Sequence, residues 1–180
     1  MNALPSLPPR LAAGLAALWL AGCATLQASQ PPSYQTDAQW ALLPIVNNTE
    51  TPQAGLRAES ITYALLQAQG LAGLRRYPAD LNPETLFEPA ERKVLANALD
   101  WAKREGVRYA VTGAVDEWRY KVGMDGEPAV GVSLSVIEVE TGRTVWSGVG
   151  GKTGWSRESL AGVGQKLIGS LLEKAKLPQR

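Results

Sequence analysis

Histidine is absent from this 180-residue sequence, and cysteine occurs once, at position 23. Without histidine the chain lacks the commonest general base of enzymes, the commonest zinc ligand and the side chain that titrates near neutral pH. A single cysteine cannot form a disulfide within the chain, so packing alone must stabilise the fold. These absences argue against an enzyme and against a metal centre, and we expect no cofactor.

The sequence also lacks a net charge of either sign. It has 18 lysines and arginines and 17 aspartates and glutamates, and loss of Arg10 with an N-terminal signal would make the two numbers equal. Proteins that bind nucleic acid usually carry a clear excess of positive charge. Nucleic acid is therefore not an expected partner.

The N-terminus has the pattern of a bacterial lipoprotein signal. Arg10 is followed by an apolar run at residues 11–20, which is too short for a bilayer-spanning helix of about 20 residues. The motif LAGC at residues 20–23 resembles a lipobox, which implies cleavage after residue 22 and diacylation of Cys23. The same resemblance implies sorting to the outer membrane, on its periplasmic side, because Ala24 replaces an aspartate. The alternative is an ordinary secretory signal with a coincidental cysteine.

After the signal peptide at residues 1–22, the sequence predicts a tether and one domain. Residues 23–38 comprise the lipidated cysteine and a segment rich in Ser, Gln and Pro, which predicts a flexible tether. Such a tether could hold the domain a few tens of ångströms from the bilayer or lie along the domain, and the sequence leaves both open. Residues 39–180 are enough for a single domain with its own core.

The domain sequence predicts an α+β fold with the order β-α-(β)-α-β-β-β-α. Short apolar or alternating runs predict strands at 40–46, 109–122, 130–139 and 144–149, with a further possible strand at 74–77. Helical spacing of apolar residues predicts helices between Pro52 and Gly70, from Val94 to about Gly106, and over 156–175. The fold class expected is a sheet containing an antiparallel meander, with helices packed on it.

The segment GVGGKT at residues 148–153 is similar to a phosphate-binding loop but departs from its pattern. Trp146 stands where the motif needs its first glycine, and the segment closes an antiparallel meander instead of following the first strand of a parallel unit. We therefore expect a flexible connection whose glycines permit a sharp turn into the last helix.

Acidic residues cluster in and after the first strand of the meander: Asp116 and Glu117 in the strand, and Asp125 and Glu127 at the tip of the following loop. Paired carboxylates serve glycosidases, but acid–base catalysis needs two environments that separate their pKa values, which a turn tip does not supply. The remaining interpretations are a solvated turn or a binding surface for a cationic ligand.

Trp155 lies between Gly154 and Ser156 at the end of the glycine-rich segment, whereas the other tryptophans of the domain lie in strand or helix patterns. An indole in a mobile polar loop of a membrane-tethered protein is a candidate for the bilayer interface. The alternative is a side chain folded back on the sheet as a lid.

Four segments together resemble the PelC family, outer-membrane lipoproteins of Pel exopolysaccharide export. They are WALLPI at 40–45, PQAGLRAE at 52–59, EWRYK at 117–121 and GWS at 154–156. Periplasmic lipoproteins of the LpoB and CsgG types share the predicted element order. They leave two alternatives open, which are an activator of a cell-wall enzyme and a curli-type secretion component.

The PelC resemblance implies a non-enzymatic homo-oligomeric ring, dodecameric in the family, that works beneath the outer membrane with a PelB porin. It also implies an aromatic belt against the bilayer and an acidic passage for a cationic polysaccharide. By position, Trp155 matches the belt residue. Asp125 is the best match for the passage acid, with Glu127 beside it and Asp116 as the alternative.

Overall fold

The computed structural model describes residues 24–71, 73–78, 81, 90–123 and 126–178. Cys23 and the signal segment before it lie outside these residues. The described part of the chain forms six strands and three helices, in the order β1 (Ala24–Ala28), β2 (Trp40–Asn47), α1 (Ala54–Ala68), β3 (Leu74–Arg76), α2 (Ala90–Arg104), β4 (Tyr109–Tyr120), β5 (Pro128–Glu138), β6 (Arg143–Thr153) and α3 (Leu160–Ala175). The predicted α+β class is confirmed, with one strand, β1, added at the start.

All six strands belong to one mixed sheet with the order β1-β6-β5-β4-β2-β3. Strands β4, β5 and β6 form the predicted antiparallel meander, while β2 runs parallel to both β3 and β4. Helices α1 and α3 cover one face of the sheet, and α2 covers the β2 part of the other face. Within the described residues, none of the helices is both long and apolar enough to cross a membrane.

The main core lies between the sheet and the helices α1 and α3. Alternate residues of β5 (Val130, Val132, Leu134 and Val136) are buried there, as the period-two pattern predicts. They meet the apolar side of α3. Full burial of each aliphatic side chain contributes about 1.5–3 kcal/mol, so this layer stabilises the fold substantially.

The glycine-rich segment is the second half of β6, so the expectation of a flexible connection was wrong. Its residues pair with β5 on one side and with β1 on the other. A Cβ at Gly148 would lie 2.8 Å from Trp146 Cη2, and one at Gly150 would lie 2.8 Å from Leu167 Cδ1. These glycines thus let the side chains of the core pack directly on the strand.

Residues 24–38 lie along the domain, which is the second of the two arrangements that the sequence left open. Strand β1 pairs antiparallel with β6, with Ala24 opposite Lys152 and Ala28 opposite Gly148. Further along, the ring of Tyr34 packs edge-on against Trp40 and Tyr109, with centroids 5.2 and 5.4 Å apart.

Strand β1 was not predicted, because its hydrogen-bonding partner, β6, lies far away in the sequence. The outer edge of β6 presents backbone N–H and C=O groups that need partners, and β1 supplies them. Burial, together with the nearby Tyr109, also raises the pKa of the Tyr34 phenol, as expected for a ring held against the core.

Candidate functional site

Strand register brings four chain segments together at one end of the sheet, here called the Trp155 end. Ala24 lies opposite Lys152 at the start of β1, and Ala129 lies opposite Thr153 at the end of β6. Tyr120, the last residue of β4, pairs with Pro128, the first residue of β5. The Trp155 turn therefore lies beside the start of β1 and the base of the β4–β5 hairpin.

The turn that carries Trp155 is held by hydrogen bonds, in contrast to the mobile loop expected from its sequence. The Gly154 N–H donates to the Pro128 carbonyl at 2.8 Å, and the Glu158 N–H donates to the Trp155 carbonyl at 2.8 Å. In return, the Trp155 N–H donates to Glu158 Oε2 at 2.9 Å. These bonds tie the turn both to β5 and to the approach to α3.

The Glu158 carboxylate accepts side-chain and backbone hydrogen bonds that hold this turn. Lys166 of α3 donates to its other carboxylate oxygen and forms an ion pair with it. The hydrogen bond from Lys166, followed by that from the Trp155 N–H, lowers the pKa of the Glu158 carboxyl. Gly154 is required beside it, since a Cβ there would lie 2.5 Å from Val163 Cγ2 and 2.6 Å from Glu158 Oε2.

The Trp155 side chain is directed away from the core. Its exposed fraction is 57%, whereas Trp40, Trp118 and Trp146 are each 1–2% exposed. The structure therefore does not have the lid arrangement in which the indole folds back on the sheet. Packing explains the other indoles, as their strand patterns indicated, and leaves Trp155 without a structural role in the core.

Asp116 lies at a bulge in β4. Val115 pairs with Val132 and Glu117 pairs with Gly131, so Asp116 is the extra residue between two paired positions. Its carboxylate is exposed and accepts a hydrogen bond of 2.8 Å from Asn48 Nδ2. The bulge thus presents this acid to solvent beside the end of β2.

The other two candidate acids belong to the β4–β5 hairpin. Glu127 forms an ion pair with Lys121, with Nζ and Oε2 3.6 Å apart, and both side chains are more than 40% exposed. This pair contributes little to stability, but it offsets the negative charge of Glu127 locally. Asp125 lies outside the described residues.

Sequence reasoning missed Glu158 as the residue that holds the Trp155 turn. Its position in the sequence was a usable signal. Glu158 follows Trp155 by three residues and directly precedes Ser159, whose hydroxyl caps the N-terminus of α3. Among the described residues, no group of three His, Cys, Asp or Glu side chains is arranged to hold a metal ion.

Comparison with known proteins gives a clear relationship through solved structures. The sequence matches no family model and no curated protein. A dodecameric PelC from Paraburkholderia phytofirmans is 39% identical to it, with a TM-score of 0.72, over 88% of this chain and 100% of that one. A second dodecamer structure, of a single-substitution variant of that PelC, is 40% identical over the same shares of the two chains, with a TM-score of 0.71.

A more distant structure, the lipoprotein GNA1162 from Neisseria meningitidis, shares the fold alone. It is 16% identical, with a TM-score of 0.53, over 76% of this chain and 96% of that one. The match to PelC is much stronger, because the sequences are 39–40% identical and the whole PelC chain is covered. This chain therefore belongs to the PelC family.

Proposed function

We propose that this protein is an outer-membrane lipoprotein of Pel-type exopolysaccharide export. In this proposal it is not an enzyme; it assembles into a ring that guides a cationic polysaccharide to a PelB-like porin during biofilm formation. The observation that carries the proposal is the 39–40% identity over the full length of PelC chains whose structures are dodecamers. A heterologous interface that closes on itself would generate such a ring.

The strand register supports a membrane contact at the Trp155 end. Ala24, which follows the expected acylation site Cys23, lies opposite Lys152, and paired Cα atoms are about 5 Å apart. Trp155 is three residues further on, which spans at most about 10 Å. Chain connectivity thus keeps the acylated residue within about 20 Å of Trp155. An exposed indole that close to a lipid anchor is well placed for the headgroup region, where Trp is enriched.

Repetition of an acidic residue around a ring would supply the electrostatic guidance. One exposed carboxylate attracts an ammonium weakly, but a closed ring of carboxylates focuses the field along its axis. Asp125 and Asp116 are the proposed ring acids. Glu127 contributes less in this proposal because Lys121 offsets its charge.

The other candidate functions have less support. An activator that reaches a cell-wall enzyme across the peptidoglycan needs a long tether, whereas residues 24–38 pack on the domain. No contact in the described residues favours a curli-type secretion component.

Charge reversal tests the guidance proposal. We expect Asp125→Lys and Asp116→Lys to reduce Pel-type polymer at the cell surface strongly, and the Asn variants to reduce it less, because reversal repels the cation where neutralisation only removes an attraction. Asp100→Lys is the matched control, since Asp100 is an exposed acid on α2. Each variant is also tested for native stability and for membrane fractionation.

The same variants allow a binding test in vitro. Binding of a cationic amino-sugar oligomer should weaken with added salt, because the screening length falls from about 10 Å at 0.1 M to about 3 Å at 1 M. Normal secretion by both Lys variants, or binding that does not depend on salt, would overturn electrostatic guidance.

A further inference from the structure

Two exposed apolar side chains other than Trp155 lie at the same end of the sheet. Tyr120 is 50% exposed and Val122 is fully exposed, at the end of β4 and just beyond it. Neither residue was singled out by the sequence patterns. Isolated exposed apolar residues are common on protein surfaces, so position and surroundings must decide whether these two have a role.

Hydrogen bonds join the base of the β4–β5 hairpin, beside these two residues, to the Trp155 turn. Tyr120 pairs with Pro128, and the Pro128 carbonyl accepts from the Gly154 N–H at 2.8 Å. The Lys121 N–H donates to the Glu127 carbonyl at 2.8 Å and continues the hairpin past the last strand residue. The base of the β4–β5 hairpin and the Trp155 turn are thus parts of one hydrogen-bonded surface.

The surroundings of this surface favour a lipid bilayer over a second protein as the partner. The chain continues from Ala24 directly to Cys23, the expected lipid attachment site, at the same end. At the turn, Lys152 and Lys166 lie near Glu158, and the exposed Arg157 directly precedes it in the sequence. Cations beside Trp and Tyr are typical of surfaces that meet anionic headgroups.

We propose that Tyr120 and Val122 enter the membrane interface beside Trp155, so that the β4–β5 hairpin is part of the membrane-seating surface. This rests on the proposed function, in which Trp155 contacts the bilayer. Three apolar contacts and an acyl anchor would fix the tilt of the domain as well as its distance from the bilayer. Because Glu127 lies on the same hairpin, membrane depth would also set the height of this carboxylate relative to the bilayer.

Depth-dependent quenching in the full lipidated protein tests this proposal. Acylation of Cys23, the single native cysteine, leaves an introduced cysteine as the only free thiol. Val122→Cys, Ser156→Cys and Glu140→Cys are each labelled with an environment-sensitive fluorophore. They are then placed in phosphatidylethanolamine–phosphatidylglycerol vesicles with and without brominated acyl chains. Val122, Ser156 and Glu140 are all exposed, and Glu140 lies at the opposite end of the sheet as the control.

We expect bromolipids to quench the labels at positions 122 and 156 several-fold more than the label at position 140. Quenching at 156 without quenching at 122 would overturn the hairpin contact and leave the Trp155 contact standing. Equal, weak quenching at all three positions would overturn both, including the membrane seating in the proposed function.

Discussion

At the scale of single residues, Gly164 is the position where α3 packs on Trp118. A Cβ at this position would be 2.5 Å from Trp118 Cη2, whereas a Cβ at Gly169 of the same helix would have no neighbour within 4 Å. We therefore predict that Gly164→Ala lowers the free energy of unfolding by about 1–3 kcal/mol through overpacking. Gly169→Ala should instead raise it by up to about 1 kcal/mol, since alanine is the better helix former.

Urea denaturation of the two variants measures both changes. The pair is matched in chemistry and differs only in the space at the new methyl group. Equal effects of the same sign would contradict the close packing of α3 on Trp118.

Glu158 gives a second residue-scale prediction, which concerns pH. Its pKa is lowered in the folded protein by Lys166 and by the Trp155 N–H, so its carboxylate contributes stability above the ordinary glutamate pKa of about 4.3. That contribution should be lost as the pH falls through the lowered pKa. In Glu158→Gln we expect the acid-induced change in Trp155 fluorescence to shrink, because the titrating group is absent.

Difference spectra between each protein and its Trp155→Phe derivative isolate the Trp155 signal. An identical acid transition with Glu158 and with Gln at this position would show that another group controls the turn.

Strand β1, at the element scale, can be tested by proline substitution. The Ser29 N–H donates to the Ser147 carbonyl at 2.8 Å, so alternation along the antiparallel ladder directs the Gln27 N–H toward Val149 and the Ala28 N–H toward the open edge. Gln27→Pro should therefore detach β1 and expose the backbone of β6. Ala28→Pro should be tolerated better, because the Ala28 N–H does not take part in the pairing with β6.

Hydrogen exchange at residues 148–152 gives the readout. Faster exchange is expected in Gln27→Pro alone. Equal protection in the two variants would mean that β1 does not hold the edge of β6.

Local sequence patterns predict the strands and helices that form because of the burial of their own side chains. The alternation from Val130 to Val136 and the helical spacing around Leu167 both follow from burial of one side. Strand β5 is where the sequence indicates, whereas α3 begins at Leu160 instead of residue 156, because Ser159 caps it. Strand β1 is different, because only Leu26 among its residues is partly buried and its hydrogen bonds depend on β6. The glycines of β6 led to the wrong prediction of a flexible connection. They are needed in the strand because the side chains of Trp146 and Leu167 pack closely against it.

The candidate site was predictable to a similar degree. The exposure of Trp155 follows from its setting between Gly154 and Ser156, outside any strand or helix pattern. The bulge that presents Asp116 depends on a slip of register against β5, and the pairing of Glu127 with Lys121 depends on hairpin closure. Both are relations between segments, which one strand's sequence does not contain.

At the scale of the whole molecule, the prediction concerns the proposed lipid anchor at Cys23. We expect Cys23→Ser to abolish acylation, because the lipid chemistry uses a thiol, and to release the protein into the periplasm despite the apolar side chains at the Trp155 end. The proposed contact of those side chains with the bilayer would be much weaker than two acyl chains. Fractionation and metabolic labelling with a fatty acid measure the outcome. An outer-membrane location for the unacylated variant would contradict the anchor.

The pairing of β1 with β6 also has a consequence for the order of folding. Residues 24 and 152 lie far apart in the sequence, so their contact closes a very long loop, and we expect it to form late. In the proposed lipoprotein the N-terminal segment would be exported first and would stay unpaired until β6 follows. The residue before Ala24 would then be open to processing and acylation before β1 pairs with β6. We therefore expect the order of the chain to place maturation before closure of the sheet edge.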